Sequence, residues 1–334
     1  MINAIFKKST RILIIFLILI FFFCFVKSYV DYSLYQYHVK EDEVVIIPKG
    51  YSGKKIAKLL LEKKIIYDAN IFILYTKIKK YFDGSYLIAG EYEIKNGMNT
   101  AQIIEKMLSG DIVIHKLTFP EGLLTIDALN IILNAYGIIN DLDSKDKLKD
   151  QGVIMPETYF YTYGAKASEI LNRCSKSLEE FLHHAWNRRD IMIDSILKTK
   201  EMALVLASIV EREAKLDNEK QRIASVYFNR LKINMPLQAD PTVIFAITEG
   251  KSFNLNLSYE NLRFKSPYNT YIINGLPPTP ICNPGKAAIE AVLHPLNTNE
   301  IYFVADGKGG HMFASAFKEH TENIKRYKEA IAHP

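Results

Sequence analysis

The chain has 334 residues, room for about two domains, and its 42 basic and 37 acidic side chains leave a net charge of only +5. So small an excess over this length excludes a dedicated nucleic-acid binder, which needs a clustered basic face. Apolar residues at 49% and charged residues at 24% exclude a disordered chain, and three cysteines with no C-x-x-C pair exclude a dense disulfide scaffold.

Lys7, Lys8 and Arg11 precede an uninterrupted apolar run from Ile12 to Val26, and Tyr29 and Val30 extend it past Lys27, whose stem can snorkel. As a helix, 12–30 is roughly 28 Å long, enough for a bilayer core. The cations put residues 1–11 in the cytoplasm and the remainder outside. A cleaved signal peptide would need small residues at its end, whereas this run closes on Phe22, Phe23, Cys24, Phe25, Val26 and Lys27. An uncleaved anchor over 12–30 is therefore expected, followed by a polar tether over 31–42. Cys24 belongs to the anchor, so Cys174 and Cys282 are the pair left that could bridge.

From 43 to 115 a small α+β module is expected. Val44–Ile47 reads as a strand, Pro48-Lys-Gly50 as a turn, and Ile56, Ala57, Leu59 and Leu60 as the apolar face of a helix. The order recurs as Tyr92–Ile94, Asn96-Gly97 and a helix with Ile103, Ile104, Met107 and Leu108. It recurs more faintly as His115–Phe119, Pro120-Glu-Gly122 and a helix with Leu129, Ile131 and Ile132. The first of these units resembles the start of a LysM carbohydrate-binding module; a rigid spacer is the other reading. Residues 140–149 are polar and read as a surface loop.

Several catalytic signatures are missing: there is no His-Glu-x-x-His, no phosphate loop and no Gly-x-Ser-x-Gly. His183 and His184 are adjacent and on a helix would point apart, a poor metal pair. The informative stretch begins at Lys200. Met202–Val210 is uncharged all round, so its helix should be enclosed by protein. Glu211, Arg212 and Glu213 follow. Glu211 continues the face of Leu204, Ala207 and Ser208, whose small residues leave room for a ligand, and Glu213 continues that of Leu206 and Ile209.

A carboxyl at the mouth of a buried helix is partly desolvated, which raises its pKa towards that of a general acid. On position alone Glu211 fits that role, and it equally fits a glutamate marking where the helix surfaces. Asp217 should cap a second helix with a stripe of Ile223, Val226, Tyr227 and Leu231 that ends near Asn234. Polar and aromatic residues then gather in loop-like settings, 237–243, 266–271 and 274–285, the equipment of a sugar site. A strand over Ile301–Ala305 leads to Gly307-Lys-Gly-Gly-His311.

Ala207-Ser-Ile-Val-Glu-Arg-Glu213, Asn229-Arg-Leu231, Leu237-Gln-Ala-Asp-Pro-Thr-Val243, Tyr268-Asn-Thr-Tyr271, Gly275-Leu-Pro-Pro278, Asn283-Pro-Gly285, and Tyr302–Ala305 with Gly309-Gly-His311 together resemble the YceG-like family of endolytic murein transglycosylases. Upstream, Gln151-Gly-Val-Ile-Met-Pro-Glu-Thr-Tyr159 is similar to a further family motif, with Gln151 in place of Glu and Glu157 in place of Asp. The resemblance implies an α+β catalytic domain over 116–330. It also implies cleavage of the bond between N-acetylmuramic acid and N-acetylglucosamine in nascent peptidoglycan strands, which would limit their elongation.

The 6-hydroxyl of the muramoyl residue attacks its own anomeric carbon and leaves a 1,6-anhydro end. Glu211 is the residue the resemblance marks as catalytic, and one carboxyl suffices because the internal nucleophile removes the need for a second. Gln238, Asp240, Asn269, Tyr271 and His311 are the expected substrate wall. No metal and no organic cofactor are expected. The implied partners are glycan strands, the inner membrane and peptidoglycan synthases of the penicillin-binding type, with the catalytic domain periplasmic on a single-pass protein. A muramidase-type hydrolase and a non-catalytic glycan-binding scaffold are the alternatives.

Overall fold

The computed structural model describes residues 2–142 and 150–332, with side chains from Arg11 onward. Positions 143–149 of the expected polar loop, and the side chains of Lys7 and Lys8, lie outside the described residues. The chain divides into two compact units, one of residues 1–115 with 162–164, the other of 116–161 with 165–334.

The first unit begins with α1 (Ile2–Tyr35), whose stretch from Arg11 to Tyr35 is long and apolar enough to cross a membrane and has no part of its most apolar window buried. This helix runs five residues beyond the expected end of the anchor. The stretch read as a tether is accordingly not free chain, because Leu34 and Val39 are buried in the core of this unit. Two aliphatic side chains within a polar-looking segment were enough to dock it.

Strand β1 (Glu43–Ile47) pairs antiparallel with β2 (Gly90–Ile94), from Glu43 opposite Ile94 to Ile47 opposite Gly90. Between them lie α2 (Gly53–Glu62) and α3 (Ala69–Asp83), and α4 (Thr100–Ser109) follows. The first two strands of the recurring pattern therefore complete one sheet. Helix α3 was not anticipated, because half its apolar side chains, Leu74, Ile78, Tyr81 and Phe82, remain exposed and blur the one-sided pattern. Helix α4 is defined by a capping box, in which Asn99 and Gln102 each accept from the other's backbone N–H, and it ends on Gly110 in the left-handed conformation.

Strands β3 (Ile114–Thr118) and β4 (Thr158–Thr162) form a two-stranded sheet, and in the second unit Leu117 and Tyr161 of these strands share a core with α5 (Thr125–Leu133) and α6 (Ala167–Asn187). The larger core is built around α7 (Lys200–Glu213). Thr199 caps its start, and every residue from Ala203 to Val210 is buried, as an uncharged helix requires. It packs against α6, α8 (Asp217–Lys232), α9 (Asp240–Thr248) and α10 (Lys286–Leu293). The hairpin of β5 (Tyr302–Ala305) and β6 (His311–Ala314) carries α11 (Phe317–Ala332) on one side.

Two details differ from expectation. Leu216, not Asp217, precedes the first turn of α8, and Asp217 pairs with Lys220 instead of capping. The segment around Asp240 is helical, with Pro241 in its first turn where a missing N–H costs nothing. Cys174 and Cys282, the pair left that could bridge, are both free and buried.

Candidate active site

Helix α7 delivers two glutamates to its carboxyl end, and the structure gives them different surroundings. Glu211 points into a set of ion pairs. Its Oε1 accepts from Lys220 Nζ at 3.0 Å, and its Oε2 accepts from the backbone N–H of Gly285 at 2.9 Å, where α10 begins. Lys220 is 3% exposed and also meets Asp217 at 2.8 Å and Glu121 at 3.5 Å. Burial alone would weaken that ammonium as an acid-base cation, but the surrounding carboxylates more than offset it and hold the group above its ordinary range.

Gly285 lies so close to Glu121 that a Cβ there would overlap its carboxyl group, which is why glycine occupies that turn. The isolated acid expected at Glu211 is thus absent: the carboxyl is 7% exposed and doubly held. It ties α7 to α8 and to the start of α10.

Glu213, two residues on, opens into a cleft of about 340 Å³ shared with Gln238, Asp240, Tyr271 and His311. Four of the five expected wall residues therefore converge, but on Glu213; Glu211 does not line the cleft. Arg230, Phe303 and His320 also line it. Burial pushes the Glu213 carboxyl up to about 7, and the nearby Asp240 charge adds to this. Tyr227, whose hydroxyl donates to Oε1 at 2.9 Å, and Arg230 oppose the rise without cancelling it. Near neutral pH the group can both give and take a proton, as an acid-base catalyst of sugar chemistry must.

The wall is organised from below. Tyr271 donates to Asp240 Oδ1 at 2.6 Å, and burial with that carboxylate holds the phenol well above its ordinary range, so it stays a donor. His311 Nδ1 lies 2.7 Å from Glu219 Oε2, and its backbone N–H donates to Glu219 Oε1 at 2.9 Å, which fixes the ring and its proton. Arg230 donates to the carbonyls of Ile301 and Leu237, each at 2.6 Å, and so binds the β5 strand to the loop before α9. Gln238 has φ +50°, a left-handed conformation uncommon for a residue with a side chain, held by its N–H bond to Thr270 at 3.0 Å. Backbone strain of this kind concentrates at ligand sites.

Asn269, the fifth expected wall residue, stands apart from the other four. It is fully buried, donates to the carbonyls of Leu262 and Phe264 at 3.0 and 2.8 Å, and accepts from Tyr271 N at 2.9 Å. It shapes the loop that presents Tyr271 and does not line the cleft. Glu211 also stands away from the cleft lining. Helical spacing alone put Glu211 beside small residues, but those positions are filled: Ser208 accepts from Ile281 N and Cys282 donates to the Ser208 carbonyl. The face of Leu206 and Ile209 is the one that leads to the cleft.

Helix α7 thus sets a carboxyl poised near neutrality over a polar cleft in an α+β unit, an arrangement compatible with acid-base chemistry on a glycan. Comparison with known proteins agrees. A model of the YceG-like family matches residues 45–326. An endolytic murein transglycosylase of Bacillus subtilis is 32% identical over 84% of this chain and 83% of its own length. One from Streptococcus pneumoniae is 27% identical over 86% of this chain, which spans 59% of that longer relative. A crystal structure of a YceG-like protein from Listeria monocytogenes superposes with a TM-score of 0.55 at 31% identity, covering 84% of this chain and 98% of that one. The chain belongs to the YceG-like family.

Proposed function

We propose that this protein is a peptidoglycan lytic transglycosylase that cuts glycan strands endolytically, with Glu213 as its acid and base. The observation that carries the reading is the Glu213 carboxyl, raised to about 7 in a cleft lined by Gln238, Asp240, Tyr271 and His311. Protonated Glu213 donates to the glycosidic oxygen as its bond to the muramoyl anomeric carbon breaks. The 6-hydroxyl oxygen of that muramoyl residue then bonds to the same carbon and its proton passes to the Glu213 carboxylate. The enzyme ends protonated as it began, and no water is consumed. Tyr227 holds one oxygen of Glu213 throughout. Glu211 acts at one remove, because its pairing with Lys220 and Gly285 fixes the end of α7 on which Glu213 stands.

The reading extends to the rest of the chain. Residues 12–30 anchor the protein in the cytoplasmic membrane with its catalytic unit outside, supported by the apolar helix and the cations before it. Residues 43–115 form one membrane-proximal module of LysM type, supported by the pairing of β1 with β2 across two helices. The catalytic domain occupies 116–330. Nascent strands reach it as they leave membrane-bound synthases of the penicillin-binding type.

Mass spectrometry of glycan strands incubated with the purified full chain tests the reading. Fragments with 1,6-anhydro ends are expected. Fragments heavier by one water would make the protein a muramidase, and binding without cleavage would make it a scaffold.

A further inference from the structure

Most polar groups of the Glu213 cleft are already engaged by the protein itself. Arg230 holds two carbonyls, Tyr271 is bound to Asp240, and His311 Nδ1 is bound to Glu219. His320, on α11, differs. Its Nδ1 is buried and meets no hydrogen-bonding partner among the described residues, although the ring lines the cleft. A buried polar atom left unpaired is costly, and native structures keep few of them.

The ring is also held in place. It stacks on Tyr302 with centroids 4.9 Å apart and planes 16° from parallel, and Phe317 packs beside it at 6.5 Å. The ring has thus lost its freedom without a hydrogen-bonding partner, and because Nδ1 is closed off it is the other ring nitrogen, Nε2, that a molecule entering the cleft would meet.

We propose that His320 is a substrate-contacting residue of this cleft, its imidazole hydrogen-bonding a hydroxyl or acetamido group of the sugar on which Glu213 acts. The inference rests on reading the cleft as the glycan site. Tyr302 on β5 stacks on the ring and Arg230 on α8 acts on its charge; the other titratable groups lining the same cleft are Glu213 on α7, Asp240 on α9, Tyr271 on the loop after it, and His311, which is bound to Glu219. Burial and the Arg230 guanidinium hold the imidazole below its ordinary range, so the ring is neutral at neutral pH and offers one donor and one acceptor. Protonation in acid removes the acceptor and sets a second cation beside Arg230. Because Glu213 is protonated there, the acid limb of kcat/KM belongs to His320.

The test uses the full chain in detergent, with anhydro-ended products counted by mass spectrometry across pH. His320→Phe keeps the stack on Tyr302 and removes both nitrogens. It is expected to lower kcat/KM about 10- to 100-fold at an unchanged Tm and to lose the acid limb. Wild-type kcat/KM with the acid limb intact in that variant would overturn the proposal. Should His320→Phe lower the Tm, His320→Gln and His320→Leu decide: higher activity with the amide supports the contact, and equal activity overturns it. Absence of anhydro product from the wild-type chain would instead remove the reading of the cleft itself.

Discussion

Burial of the Glu213 carboxyl costs the folded state stability whenever the group is ionised. Its pKa stands at about 7 against an ordinary 4.5, so the folded chain holds this proton more tightly than the unfolded chain does. Stability from this group is therefore fully present below about pH 4.5 and is lost as pH rises through about 7. Glu213→Gln removes the charge and keeps an acceptor for Tyr227. Urea denaturation should find the variant more stable than wild type at pH 8 by on the order of 2 kcal/mol and no more stable at pH 4. An equal difference at both pH values would show that the group is not desolvated.

Glu211→Gln should do the reverse. It leaves Lys220 buried with one fewer countercharge, and a loss of about 3 kcal/mol is expected from the same titration. One glutamate of α7 thus weakens the fold when ionised, whereas its neighbour secures it.

At the scale of elements, α7 was legible because its lack of charge over nine residues leaves no side for water, and the structure buries that stretch almost entirely. What spacing could not supply was which face of α7 meets the cleft. That depends on Cys282 and Ile281 arriving from seventy residues downstream to occupy the Ser208 side. Spacing offers Tyr227 and Arg230 only as helix and motif residues and does not single out His320, for the same reason: only the packing of α8, α11 and β5 gathers them. Helix α3 escaped because its exposed apolar side chains hide the buried face. Helix α4 has a cap written into its sequence, Asn99 with Gln102 three residues on. Asn99→Ala should cost about 1 kcal/mol in denaturant unfolding of the first unit, and no change would mean the capping box adds nothing beyond packing.

At the scale of the molecule, the apolar helix was fully legible from composition, whereas its continuation to Tyr35 was not, since Asp31 and the tyrosines look like linker. The docking of this stretch has a measurable consequence. A chain starting at Asp31 keeps Leu34 and Val39 in the first core, and a chain starting at Lys40 loses both. The shorter chain should unfold its first unit more easily by about 3–5 kcal/mol in denaturant, whereas equal stability would make residues 31–39 a mere tether.

The assignment of Glu213 is tested most directly by comparing glycan cleavage by wild type, Glu213→Gln and Glu211→Gln at one temperature where all three are folded. Loss of anhydro-ended product by about 10³-fold or more is expected for Glu213→Gln, with measurable turnover left in Glu211→Gln. Wild-type turnover by Glu213→Gln, with Glu211→Gln inactive though folded, would return the chemistry to Glu211 and contradict the account.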